Sequence, residues 1–354
     1  MGSVLIVTGP NPFQWSGGIE TYVLNLYGVL KEEGWHVDVD FFEKHGLTPY
    51  KLEDYYNHAR IIKEKADKYD FIISNSIYGA FIEMDINKIL NICHGVYRDI
   101  ANVCRNFLNK CDYLDFYYRL GLMEDFTYSG KKVVSVSSSV TSSLRRHFRT
   151  GRIITIRNFV DTNVFKPLNL ENEFSKSKKL KGLYVGRTDA TKGYDIFIEV
   201  YKRTQTYIEW VQCLSTGGLR EYAEIEEIQT YKSIPHEDMP YIYNKVDFVF
   251  FPSRYEGFGF TSVEALACGR PVIAYETGIF NGLSKLLPHL SLGEPNQKNT
   301  LDTVDRFMEI IKLVEDINFR KHIRRYGRYI ANKFFNKEIW KRKWLSLLNK
   351  RNGI

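Results

Sequence analysis

The chain has 354 residues, 44% of them hydrophobic and 26% charged, which excludes a disordered polymer and gives enough length for two hydrophobic cores. Its net charge of +7 is concentrated in the stretch 320–351, where lysines and arginines face the lone acid Glu338, and in a second basic stretch around Lys131, Lys132, Arg145, Arg146, Arg149 and Arg152. Five scattered cysteines (Cys93, Cys104, Cys111, Cys213, Cys268) form no CxxC pair, which argues against a disulfide framework and for a reducing compartment.

Short apolar runs alternate with longer amphipathic ones, twice over, which predicts repeated βαβ units and parallel sheets. The run 4–7 reads as a buried strand rather than a secretory leader, since no basic residues precede it. A loop ending in Gly17-Gly18 follows. Ile19, Val23, Leu26, Tyr27 and Leu30 then repeat at helical spacing until Gly34. Further strands are expected at 35–42, 71–74, 88–93, 133–136 and 153–156. From 165 to 181 the chain turns polar, which places a domain boundary there. A second series is expected at 182–185, 209–213, 247–251 and 271–274, and 336–349 reads as an amphipathic helix. The expected division is 1–166 and 167–335 as two Rossmann-like domains, with 336–354 crossing back to the first. No run approaches the roughly 20 apolar residues a spanning helix needs. A cytoplasmic protein is expected, at most peripheral on the inner membrane face. Two doubly wound α/β domains facing across a cleft would line it with the carboxyl ends of their strands, where open parallel sheets bind ligands.

The most informative block runs from Asp247 to Ala274: a strand, a glycine-containing loop, a helix and another strand. Glu256 falls in the loop and Glu264 in the early helix. Gly257 and Gly259 let backbone amides approach a ligand closely, and a helix N-terminus favours oxygen-rich or anionic groups. Two carboxylates there can accept hydrogen bonds from vicinal hydroxyls. Thr261-Ser262-Val263-Glu264 equally fits a capping box, in which Glu264 only satisfies the helix end. Glu256 has no comparable structural excuse.

The spacing from Glu256 to Glu264, with Gly257-Phe258-Gly259 after the first acid, resembles the EX7E signature of retaining GT-B glycosyltransferases of the family 4, group 1 type. Tyr184-Val185-Gly186-Arg187 with Lys192-Gly193 is similar to that family's V-G-R…K-G stretch. The segment from Ile234 to Pro240 is similar to the one before its base-side helix. Gly17-Gly18-Ile19-Glu20 resembles its first loop, Cys93-His94-Gly95 its central H-G, and Asn158 to Asp161 with Phe165 and Pro167 its N-G-V-D…F-x-P. The resemblance covers most of the chain in the family's order. It implies a metal-independent hexosyltransferase, with 1–166 the acceptor domain and 167–335 the donor domain. A UDP- or GDP-hexose is the co-substrate, and no cofactor or metal is implied. Arg187 and Lys192 would hold the donor diphosphate, and Glu264 the ribose diol. Glu256 and the amides of Phe258, Gly259 and Phe260 would meet the sugar, the main chain at Ile234 the base, and Gly17 and Gly18 the diphosphate. His94 would contact the sugar near the reacting carbon.

The pattern is broken in two places. The family's second G-G-x-x-E is replaced by Thr277-Gly278-Ile279-Phe280-Asn281-Gly282, and Phe159 stands where the family favours Gly. These departures bear on sugar identity and keep a second reading open, a non-catalytic GT-B subunit that binds nucleotide sugar or a partner enzyme. The acceptor is expected to be a glycan, a lipid-linked sugar or a small molecule. Its candidate surface is Tyr97, Arg98, Arg105, Phe107, Tyr113, Phe116, Tyr117, Tyr118 and Arg119, a mixture that suits peripheral membrane contact and a core helix with a solvated face about equally well. No G-x-G-x-x-G follows the first strand, which argues against a dinucleotide oxidoreductase. Specific nucleic-acid binding would rest on the basic stretches alone and is not expected.

Overall fold

The computed structural model describes residues 2–14, 17–168, 179–215, 221–232, 234–283, 285–286, 290–295 and 300–349. Much of the polar stretch expected to carry the domain boundary, 169–178, lies outside the described residues. The chain folds into two compact units: Met1–Asn102, Leu108–Asn158 and Lys341–Ile354 in one, Val103–Phe107 and Phe159–Trp340 in the other.

In the first unit, six strands form one sheet. They are β1 (Ser3–Thr8), β2 (His36–Phe41), β3 (Phe71–Asn75), β4 (Ile89–Cys93), β5 (Lys132–Ser135) and β6 (Arg152–Thr155), in the order β2-β1-β3-β4-β5-β6 and all parallel. The second unit holds β7 (Leu180–Gly186), β8 (Ile208–Leu214), β9 (Gln229–Lys232), β10 (Phe248–Phe251) and β11 (Val272–Ala274), in the order β11-β10-β7-β8-β9, again all parallel. Helices cover such sheets on both faces, so their strands are buried on both sides rather than alternating; β3, β4, β10 and the edge strand β11 are buried at every position. Every strand expected from the apolar runs is present, with ends shifted by one or two residues. The unexpected one is β9, whose Gln-Thr-Tyr-Lys is partly exposed at a sheet edge and so carries no apolar run.

The division between the units falls before the expected boundary at 166/167 because 159–165 packs on the second unit. The Phe159 ring lies 5.0 Å from that of Trp340, Val160 N–H donates to Phe335 O, and Arg328 donates to Thr162 O at 2.6 Å and to Phe165 O. The terminal helix Lys337–Asn349 has Trp340 grouped with the second unit and Trp344 with the first, where the Trp344 indole donates to the Tyr22 hydroxyl.

One buried charge organises an edge of the first sheet. Asp40 on β2 accepts hydrogen bonds from Nε2 of His45 and of His58 at Oδ1, and from Lys65 Nζ at Oδ2, each at 2.8 Å. Burial would raise the pKa of this carboxyl, but the three donors outweigh it and hold it well below the usual range. A group with a depressed folded-state pKa contributes its full stability above its unfolded value, about 3.9, and loses that contribution as pH falls below it. Asp40→Asn should cost about 3 kcal/mol at pH 7, the scale for breaking a buried pair. Thermal or urea unfolding beside the unsubstituted protein should show that gap narrowing below about pH 4.

Candidate active site

In the second unit the chain leaves β7 at Gly186 and turns through 187–193 into the helix Tyr194–Thr204. Asp189 is fully buried in that turn. Its carboxylate accepts from Arg187 Nε at 2.7 Å, from the Lys192 N–H at 3.1 Å and from the Thr191 hydroxyl. Burial alone would raise its pKa, but the Arg187 charge and these hydrogen bonds lower it further than burial lifts it. Tyr184, buried in the core below, donates its hydroxyl to Arg187 O at 2.7 Å. Gly193 has φ +70°, and a Cβ there would lie 2.1 Å from Pro252 O. Only glycine permits that approach, and it brings the turn against the loop after β10.

That loop is fastened from below. Arg254, wholly buried, makes paired bonds of 2.7 Å to the two carboxylate oxygens of Asp195 and donates to Ala190 O at 2.6 Å. With both turns fixed, Lys192 Nζ lies 2.5 Å from Glu256 Oε1. The helix Phe260–Ala267 starts at Gly259, which sits at φ +89° and ψ +64° and, having no side chain, offers no side-chain cap. Thr261 is therefore inside the helix and not its cap, so the capping box open to Glu264 is not formed. The Glu264 carboxylate instead receives His236 Nε2 at 2.7 Å on Oε1 and the Tyr243 hydroxyl at 2.8 Å on Oε2. Burial and the neighbouring Glu264 push the Tyr243 phenol well above its ordinary pKa, keeping it a donor. Ile234 precedes the 3-10 turn His236–Asp238 that carries His236. The altered loop after β11 packs behind Glu256: Ile279 N–H donates to Phe258 O at 2.9 Å, and a Cβ on Gly278, at φ +55°, would sit 2.5 Å from that oxygen.

Arg187, Lys192 and Glu256 thus come together after β7 and β10, with Phe258, Gly259 and Phe260 following Glu256 in the chain, while Glu264 meets His236 and Tyr243 in the same unit and Ile234 follows β9. Gly17, Gly18 and His94 belong to the first unit. Gly17 is the extended N-cap of the helix Gly18–Glu32, where a Cβ would come within 2.5 Å of a Glu20 carboxylate oxygen. His94 follows β4, with Nε2 3.1 Å from Asn75 Oδ1 and its ring 4.8 Å from that of Tyr22. Burial pushes its pKa down to about 3, so at neutral pH it is an uncharged imidazole.

The sequence-based acceptor surface is not one exposed patch. Arg98 pairs with Asp125 and Arg119 with Asp115, the Tyr97 ring packs on Phe116, and Phe107 groups with the second unit, 4.0 Å under the Arg254 guanidinium. Among the described residues no helix is long and apolar enough to cross a membrane. The one trio of metal-type donors among them is Asp40, His45 and His58, whose carboxylate already carries the Lys65 ammonium.

Sequence reasoning passed over Asp189, Arg254, His236 and Tyr243. Asp189 and His236 stood inside quoted motifs. Arg254 and Tyr243 carry no sequence signal separating them from ordinary surface or core residues.

The family described as "Glycosyl transferases group 1" matches residues 166–329. An uncharacterized glycosyltransferase of Methanocaldococcus jannaschii is 25% identical over 222 residues, covering 59% of this chain and 56% of the relative, so the similarity spans little more than half of that protein. A sucrose-phosphate synthase of Thermosynechococcus elongatus superposes with a TM-score of 0.79 at 18% identity over 99% of both chains. A protein of Anabaena, solved in complex with UDP and glucose, superposes with a TM-score of 0.69 at 17% identity over 99% of this chain and 100% of its own. At these identities the solved structures speak for architecture alone. Residues 166–329 therefore match the group 1 glycosyl transferase model, and the chain as a whole has the GT-B fold.

Proposed function

We propose that the protein transfers a hexose from a UDP- or GDP-linked donor to a hydroxyl of a glycan, lipid-linked or small-molecule acceptor, with retention of configuration and without a resident metal. The observation that carries this reading is the contact of Lys192 with Glu256 at the carboxyl ends of adjoining parallel strands. A sugar diphosphate offers each partner a replacement: phosphate oxygens for the ammonium, sugar hydroxyls for the carboxylate. The match of 166–329 to group 1 supports the reaction class, and the UDP and glucose named for the Anabaena neighbour support a nucleotide-sugar donor.

In this reaction the acceptor oxygen bonds to the anomeric carbon as the carbon–oxygen bond to the diphosphate breaks. The bonding electron pair leaves with the phosphate oxygen, which also receives the acceptor's proton. Negative charge grows on the departing group, and Lys192 and the guanidinium of Arg187, held by Asp189, meet it in fixed positions. Preorganised contacts of this kind contribute about 3–4 kcal/mol each. Glu256 orients the sugar through its hydroxyls, assisted by the amides of Phe258, Gly259 and Phe260. Glu264 receives the ribose, and the main chain at Ile234 flanks the base.

Incubation with UDP- and GDP-linked glucose, N-acetylglucosamine, mannose and galactose should release the matching nucleoside diphosphate by transfer or slow hydrolysis. Glu256→Gln and Lys192→Ala should each lower that turnover by at least about a hundredfold with the fold intact by circular dichroism. Near-normal turnover in both variants would overturn the site. Donor binding with no release from any donor would favour the non-catalytic subunit.

A further inference from the structure

Glu264 has only 5% of its side chain exposed, and each of its two oxygens already has a partner. Tyr243, fully buried, holds Oε2 from the core. His236 holds Oε1 from the other side, and its ring is 49% exposed. The Phe165 ring, 5.0 Å away, backs the imidazole. Of the two partners of Glu264, His236 is the one open to solvent.

We propose that His236 is a displaceable lid on Glu264: in the empty protein it occupies the solvent-side oxygen of the carboxylate, and a ribonucleotide binds by taking that oxygen over with a ribose hydroxyl. The inference rests on the donor-site reading of Glu264 and adds a competitor to it. His236 lies in the turn His236–Asp238, separate from the helix that carries Glu264, so it can withdraw without disturbing the carboxylate. The groups acting on its charge are Glu264, Glu237 beside it in the chain, and Tyr243 through their shared partner. Partial burial pulls the imidazole pKa down, but the hydrogen bond and charge of Glu264, with Glu237, raise it above its ordinary value. The sign follows. A protonated His236 holds Glu264 tightly and a neutral one lets go, so nucleotide affinity falls as pH drops from the raised pKa toward the ordinary histidine value, and levels off below it.

UDP and GDP titrated calorimetrically into the full chain between pH 6 and pH 8 test this. The terminal phosphate of the nucleotide itself titrates near pH 6, so the informative quantity is the difference from variants. His236→Ala should bind at least about threefold more tightly than the unsubstituted protein at pH 6 and converge with it at pH 8. His236→Lys, a charge that does not titrate in this range, should bind more weakly than His236→Ala at both pH values. Equal affinities for the unsubstituted protein and His236→Ala at pH 6, or weaker binding by His236→Ala, would overturn the lid while leaving the donor site intact. Failure of either nucleotide to bind at any pH would overturn the donor reading itself, and the lid with it.

Discussion

Lys192 and Glu256 reach each other from loops leaving two strands, β7 and β10, that pair in parallel register. Parallel pairing puts the carboxyl ends of neighbouring strands side by side, so the loops after them share one edge of the sheet. A contact of 2.5 Å needs more than shared position, because two long side chains lose rotamer freedom in making it. Their Coulomb attraction, about 4 kcal/mol at roughly 4 Å in a surface-like dielectric, is partly cancelled by desolvation. The balance favours the pair because neither loop has to be ordered when the contact forms. Asp189 and Gly193 fix one loop, the Arg254–Asp195 bridge fixes the other, and the bridge also ties the two together.

The same economy explains the aromatic surplus. Tyr and Phe number 24 and 23, a richness that in a sequence suits sugar-stacking surfaces as well as cores. Part of it lies beneath the site, where Tyr184, Tyr194, Phe197, Phe248, Phe250 and Phe307 join Trp210 in one buried cluster in the second unit. Their edge and stacked contacts make a stiff floor, and their hydroxyls tie in neighbouring groups: Tyr184 the turn at Arg187 O, and Tyr194 the buried Gln212 while it accepts the Ile225 N–H. A phenol is suited to this task, packing as an apolar body while presenting one directed hydroxyl. The charged side chains above inherit their placement from that floor.

The strands were legible because a parallel sheet covered on both faces writes uninterrupted apolar runs into the sequence, and β9 was not because an exposed edge writes none. Glu256 stood out through its loop and Lys192 through the family resemblance, and the structure joins the two in one contact. Two kinds of information were hidden. The first is pairing between distant residues: nothing local in Arg254 announces Asp195, and nothing in Tyr243 announces Glu264. The second is the choice between compatible local roles. Thr261 and Glu264 have the spacing of a capping box, and only the left-handed turn at Gly259 moves the helix start ahead of Thr261 and frees Glu264 for other partners. The altered loop at 277–282 teaches the same lesson in reverse. It lacks the acid and second glycine of the family pattern, yet Gly278 and Ile279 still pack against Phe258 O and brace Glu256.

We propose that the Lys192–Glu256 pair is a placeholder that a sugar diphosphate replaces. A crystal structure of the protein with an intact nucleotide sugar tests it most directly. The account predicts diphosphate oxygens within hydrogen-bonding distance of Lys192 Nζ and the Arg187 guanidinium, with Glu256 accepting from sugar hydroxyls. A diphosphate bound elsewhere, with Lys192 and Glu256 still joined, would contradict it.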